Sequence, residues 1–170
     1  MAASFPSRAS GVVPLVLRVL TFIFLLASLI ILTTNTATLV VNLVEFKIHF
    51  NDIYSYRYLL ATIVIGFAYT ILQILFALCY AATGKRFLGG DRNILFDFYG
   101  DKVISYLLAT GVAAGFAATK DLKPLFVALG AGDIVQFFDK GYASAGLLLI
   151  GFFCTAISSV LSSYALPKQF

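Results

Sequence analysis

Two charged residues stand inside stretches of this chain that are otherwise almost wholly apolar. Arg18 interrupts the run Val-Val-Pro-Leu-Val-Leu-Arg-Val-Leu-Thr-Phe-Ile-Phe, and Asp101 closes Phe96-Asp97-Phe98-Tyr99-Gly100-Asp101. No nucleophile–base–acid grouping, phosphate-binding loop, HExxH or CxxC accompanies them. The chemistry open to them is charge pairing. An ionised residue at the centre of a membrane helix costs on the order of 2.5–3.5 kcal/mol. An Arg that grips a carboxylate through two parallel hydrogen bonds offsets much of that cost. Arg18 lies about six residues into its apolar stretch and Asp101 about six into its own, roughly 9 Å from each start at 1.5 Å per residue. Run in the same direction, the two stretches put both charges at one depth. The spacing therefore predicts an intramembrane ion pair between Arg18 and Asp101. The competing arrangement has each side chain snorkel separately to the headgroups; Arg reaches that far and Asp does not. Asp97, four residues earlier on the same face, reads as a hydrated interfacial residue beside the pair.

The remaining candidates concern packing more than reaction. Gly111-Val-Ala-Ala-Gly115 is a GxxxG, a spacing that lets helix backbones approach closely in lipid. Gly111 and Gly115 thus serve either helix packing within one bundle or oligomerisation between copies. Ser144, Gly146 and the pairs Ser158/Ser162 and Ser159/Ser163 suit close packing of the last apolar stretch. Tyr69 and Gln73 either bond across helices or line a pathway, with bundle packing the default reading. His49 is the only histidine and lacks partners for a metal; Cys79 and Cys154 are too few for a disulfide framework or a zinc site. Cys79 reads as a packing residue, with palmitoylation the less favoured role. No catalytic, cofactor or metal site is expected.

The elements that must position these residues follow from composition. Of 170 residues, 61% are hydrophobic and 12% charged, against about 45–50% and about 25% in soluble domains; mean hydropathy is +0.96. A water-soluble domain of this length has no interior large enough for so much apolar side chain. The net charge of +4 is scattered, giving no stripe for nucleic acid. About 20 apolar residues cross a bilayer core, and residues 12–33, 55–83, 95–118 and 142–166 qualify. Backbone groups in lipid must be satisfied internally, and none of the four alternates as a barrel strand does. The expected fold is an all-α membrane protein, a single four-helix transmembrane bundle over residues 1–170. The first span is too long for a signal-peptide core and lacks a small-x-small site after it, so it reads as uncleaved.

The connections carry their own pattern. Val44, Phe46, Ile48 and Phe50 alternate with Glu45, Lys47 and His49, which predicts a small extracellular β-hairpin turning near Asn42–Val44, between helices 1 and 2. Tyr54, Tyr56 and Tyr58 around Arg57 read as an interfacial aromatic belt. Residues 119–141 mix charges with Leu125, Phe126, Leu129, Ile134, Val135, Phe137 and Phe138, which predicts a segment lying on the membrane surface. Cations divide evenly: Arg8, Lys85, Arg86, Arg92 and Lys168 on one side, Lys47, Arg57, Lys120, Lys123 and Lys140 on the other. The dense middle loop places that side, and both termini, in the cytoplasm.

The chain resembles the CASP-like proteins, a plant family related to the Casparian strip membrane domain proteins and more distantly to MARVEL tetraspans. The likeness runs through Phe50-Asn51-Asp52-x-Tyr54-x-Tyr56-Arg57-Tyr58, Ala82-Thr83-Gly84-Lys85, the stretch from Phe96 to Gly111, Lys120-Asp121-Leu122-Lys123 and Lys140-Gly141-Tyr142-Ala143-Ser144, and is greatest for the family's fourth subgroup. The resemblance implies a plasma-membrane scaffold that forms homo- and hetero-oligomers with itself and related members within the lipid bilayer, without nucleic acid or cofactors. It also implies a link to local modification of the adjoining cell wall. The family's marked Arg and Asp match Arg18 and Asp101. The outer loops depart from the founding members: their first-loop signature is missing and neither outer loop holds cysteine. The competing class of function is a small channel or transporter subunit, which calls for polar residues on successive turns; the central turns here are Leu, Ile, Val, Phe, Ala and Gly.

Overall fold

The structure, a computed structural model, describes residues 9–41, 44–83, 90–128 and 132–164. Helix α1 spans Ala9–Thr33, strands β1 and β2 span Thr36–Val41 and Val44–His49, a 3-10 turn covers Phe50–Asp52, and α2, α3 and α4 span Tyr54–Thr83, Gly90–Ala128 and Gly132–Tyr164. All four α-helices are long and apolar enough to cross a membrane. Each packs on two neighbours in a ring: α1 on α2 and α4, α3 on α2 and α4. Helices α1 and α3 therefore face each other across the diagonal. Leu25, Leu32, Leu59, Ile63, Leu108 and Leu148 are buried between the helices, while Ile23, Ile30, Val64, Leu75, Phe153 and Val160 point outward. An apolar exterior of this kind is what lipid solvates.

The hairpin between α1 and α2 is antiparallel, with Ala37 opposite Ile48, Leu39 opposite Phe46 and Val41 opposite Val44. The tip, residues 42–43, lies outside the described residues. A lone two-stranded hairpin is marginal in water, and this one is anchored at its base. Ala37 is buried, and the buried Asn35 donates from Nδ2 to the Phe137 carbonyl at 2.8 Å. The chain re-enters α2 through a turn in which His49 N–H donates to Asp52 Oδ2 at 2.8 Å.

Two expectations are corrected. Residues 119–141 do not lie on the membrane surface as a connecting segment; α3 continues to Ala128 and α4 begins at Gly132. Ile134, Phe137 and Phe138 are buried in the bundle core. Their spacing of three and four is one face of a helix, and Leu122 and Phe126 pack on the same core from α3. Of the other residues assigned to that segment, Leu125 and Val135 are exposed, and Leu129 lies outside the described residues. At 39 residues, α3 is about 58 Å long, nearly twice a hydrocarbon core of about 30 Å. The bundle thus continues beyond the membrane and carries the hairpin on that extension. Second, the tyrosine belt is split. Tyr54 and Tyr58 are exposed, but Tyr56 is fully buried, because two residues on a helix turn through about 200° at 3.6 residues per turn. Its hydroxyl bonds Thr119 Oγ1 at 2.8 Å.

Candidate functional site

The residue around which the bundle is organised is Asp101, on α3 and 2% exposed. Its carboxylate accepts hydrogen bonds from two other helices. Tyr69 of α2 donates from its hydroxyl to Oδ1 at 2.8 Å, and Ser158 of α4 donates to Oδ2 at 2.9 Å. Gln73, one turn after Tyr69, donates from Nε2 to the Tyr69 oxygen at 2.5 Å. Arg18 completes the group from α1, across the diagonal. Its Nη2 lies 3.4 Å from Asp97 Oδ1 and 3.9 Å from Asp101 Oδ2. One guanidinium thus stands between two carboxylates a turn apart on α3, and the shorter distance is to Asp97. All four helices meet at this one layer.

Arg has the reach to cross a bundle diagonal and a charge that does not titrate away; here a single nitrogen, Nη2, faces both carboxylates, and the two-pronged grip on Asp101 is not formed. The carboxylate in turn needs donors because lipid supplies none. Tyr69 reaches Asp101 through a gap left by its neighbour: a Cβ built on Gly100 would lie 2.5 Å from the Tyr69 hydroxyl oxygen and 2.9 Å from Cε2. Gly100→Ala is therefore expected to push the ring off α3 and break its bond to Asp101. The measurement is the ultraviolet-difference signal of Tyr69 together with the unfolding midpoint in detergent, and an unchanged Gly100→Ala protein would remove Gly100 from the site.

Sequence reasoning paired Arg18 with Asp101 and left Asp97 as a hydrated neighbour, whereas the shorter distance from Arg18 is to Asp97; for Tyr69 and Gln73 it took packing as the default beside cross-helix bonding or a pathway. It missed Gly100 as the residue that admits Tyr69, and saw Ser158 only as a packing residue. Matching depths would have found Ser158, since it lies as near the end of α4 as Asp101 and Arg18 lie near the starts of their spans. Ser144 is also more than a small residue: its hydroxyl and that of Ser28 on α1 are 2.9 Å apart, and Ser28 donates to the Ser144 carbonyl at 2.8 Å.

The two glycines of the GxxxG face into the bundle. A Cβ on Gly111 would meet Thr62 Oγ1 at 2.1 Å, and one on Gly115 would meet Ala145 Cβ and Leu59 Cδ2 at 3.1 Å each. They bring α3 against α2 and α4, so the close approach is spent within one chain. A contact between copies must use another surface. Among the described residues, no group of three or more His, Cys, Asp or Glu is placed to hold a metal ion. His49 is exposed on the hairpin, Cys79 is exposed near the end of α2, and Cys154 is buried in α4.

Comparison with known proteins agrees with this architecture. The family model described as the Casparian strip membrane protein domain matches residues 7–154. The chain is 68% identical to a CASP-like protein 4D1 of Ricinus communis over 99% of both chains. It is 58% identical to a CASP-like protein 4D1 of Populus trichocarpa, covering 94% of this chain and 89% of that one. It is 50% identical to a CASP-like protein 4D2 of Arabidopsis thaliana, covering 98% and 96%. No solved structure matches. A four-span bundle that seats its lone deep arginine opposite an aspartate of the third helix, over a sequence this similar from end to end, belongs to the CASP-like family of membrane proteins.

Proposed function

We propose that this protein is a plasma-membrane scaffold that associates with itself and with related chains, organises a membrane domain and supports local modification of the adjoining cell wall. Both termini lie in the cytoplasm in this reading, with the hairpin on the outside. The observation that carries it is how the deep polar groups are used. Tyr69, Asp101 and Ser158 are bonded to one another across three helices, and Ser28 and Ser144 across two. Groups committed to each other in this way hold helices at fixed spacing and offer no ladder of sites to a moving solute. What remains for partners is the apolar outer surface and the hairpin, with Phe46 exposed on its apolar face. A rigid body with an apolar belt and a protruding recognition element suits lateral assembly.

The test is native mass spectrometry of the full chain released from lipid nanodiscs. Dimers or larger species of this chain are expected at low protein-to-lipid ratio, and a strictly monomeric protein would overturn self-association. Impermeant labelling of tags at either terminus, in intact cells, is expected to fail unless the cells are opened. Labelling without permeabilisation would reverse the orientation.

A further inference from the structure

The charged layer contains two buried polar atoms that the protein itself does not match. Tyr69 has one hydroxyl proton and gives it to Asp101, so it must accept from Gln73. That requirement fixes the Gln73 amide with Nε2 toward Tyr69 and Oε1 turned away. Gln73 is 1% exposed, and Oε1 has no hydrogen-bond partner; Arg18 Nε is likewise buried and unpartnered. Leaving such a group unsatisfied forfeits the hydrogen bond it would make in water. One atom is an acceptor, the other a donor, and both residues border the same cavity of about 10 Å³. That is the lower bound of the room one water needs.

Thr21, Thr70 and Thr155 line the cavity, and each gives its proton to a carbonyl of its own helix, of Leu17, Gly66 and Phe152. Their hydroxyl oxygens are therefore acceptors. The separation of 3.9 Å between Arg18 Nη2 and Asp101 Oδ2 is too long for a direct hydrogen bond, so the carboxylate has an acceptor site left open on the side of the guanidinium.

We propose that this cavity is a binding site for a single water molecule, which accepts from Arg18 Nε, donates to Gln73 Oε1 and couples the guanidinium to Asp101. A metal cation does not suit it, because Arg18 already puts a positive charge and an N–H donor on the wall. An anion meets the Asp101 carboxylate and a row of acceptor oxygens. Water alone both gives and receives. The pair that ties α1 to α3 is thus hydrated within the bilayer, whether or not copies of the chain associate.

X-ray radiolysis of the full chain in nanodiscs tests this, because hydroxyl radicals formed from a bound water oxidise the side chains beside it. With a radical scavenger in the bulk solvent, Tyr69 is expected to be oxidised several-fold faster than Phe22 and Phe67 after correction for intrinsic reactivity. Those two rings stack on each other at 4.8 Å between α1 and α2, and neither lines the cavity. Gln73→Leu, which removes the acceptor without adding an oxidisable sulfur, is expected to bring Tyr69 down to their rate. Tyr69 oxidation no faster than that of Phe22 and Phe67 in the unmodified protein would overturn the site. So would undiminished oxidation in a folded Gln73→Leu protein. Should that variant fail to fold, the comparison within the unmodified chain decides alone.

Discussion

Asp101→Ala is expected to lose about 3–5 kcal/mol of folding stability in detergent, the usual result of removing one partner from a buried ion pair. The loss has three parts. Tyr69 and Ser158 no longer have the carboxylate to which they donate at 2.8 and 2.9 Å. Arg18 keeps only Asp97, whose side chain is 31% exposed and so partly screened. A cavity opens where four helices meet. The series around this variant separates the contributions. Asp101→Asn retains the shape and one acceptor oxygen, so about half the loss is expected; of the Tyr69 and Ser158 hydroxyls, the one facing the new amide nitrogen rotates to accept and the other still donates to the remaining oxygen. Asp97→Asn is expected to cost less again, because the residue stands at the edge of the layer. Arg18→Lys keeps the charge but not the fork, and falls between. Urea or SDS titration followed by tyrosine fluorescence measures the order. If Asp101→Asn unfolds at the same midpoint as the unmodified chain, the carboxylate is not what holds the layer together.

Much of this layer was legible in the sequence because membranes make charge conspicuous. A lone Arg in 20 apolar residues and an Asp at matching depth announce each other with no structural information. The four spans and the alternation of Val44, Phe46 and Ile48 were equally plain, each being a simple period against a simple background. What was not legible has a common physical cause. Ile134, Phe137 and Phe138 carry a helical period, but it was masked by Asp133, Asp139 and Lys140 and read as surface, since the argument from bilayer thickness stops once about 20 residues have been spent. A helix that continues into water for ten more residues is invisible to that argument. Tyr56 was grouped with Tyr54 and Tyr58 by type, although helical geometry separates it from both. Gly100 was overlooked for another reason: a glycine's importance depends on what would strike its absent Cβ, and here that is a ring from a different helix.

The diagonal placement of α1 and α3 also explains why the layer is built of unequal parts. Neighbouring helices are close enough for short groups, as Ser28 with Ser144 and Tyr56 with Thr119 demonstrate. Across the diagonal only a long side chain reaches. The burden of linking α1 to α3 therefore falls on Arg18, while α2 and α4 approach Asp101 with a tyrosine and a serine. Among the described residues, Ser28–Ser144 joins α1 to α4, Tyr56–Thr119 and Tyr58–Thr110 join α2 to α3, and only the Asp101 layer joins all four helices. That is why substitutions at Asp101 are expected to exceed those at Ser28 or Thr119.

Gly111→Leu is expected to prevent the bundle from forming, an effect as large as that of Asp101→Ala but of different origin. A Cβ alone at this position falls 2.1 Å from Thr62 Oγ1 and 2.9 Å from Thr62 Cβ. Rotating Thr62 does not relieve the clash. Its hydroxyl would leave the Leu59 carbonyl, to which it donates at 2.8 Å, and its Cβ, fixed by the α2 backbone, would remain in place. Helix α2 must then move away from α3, taking Leu59 off Gly115. Even Gly111→Ala is expected to lose about 1–3 kcal/mol, the usual penalty of overpacking. Gly146 on α4 supplies the matched control, since a Cβ there meets nothing within 4 Å. Gly146→Ala is expected to be neutral or to gain up to about 1 kcal/mol from helix propensity. Stability in detergent at a protein concentration where only monomer exists distinguishes the two roles of the motif. A Gly111→Leu chain that is unstable as a monomer places the glycine inside the bundle. One that folds normally as a monomer and fails only to associate would turn the same glycine outward, toward a second copy, and contradict the packing of α3 on α2.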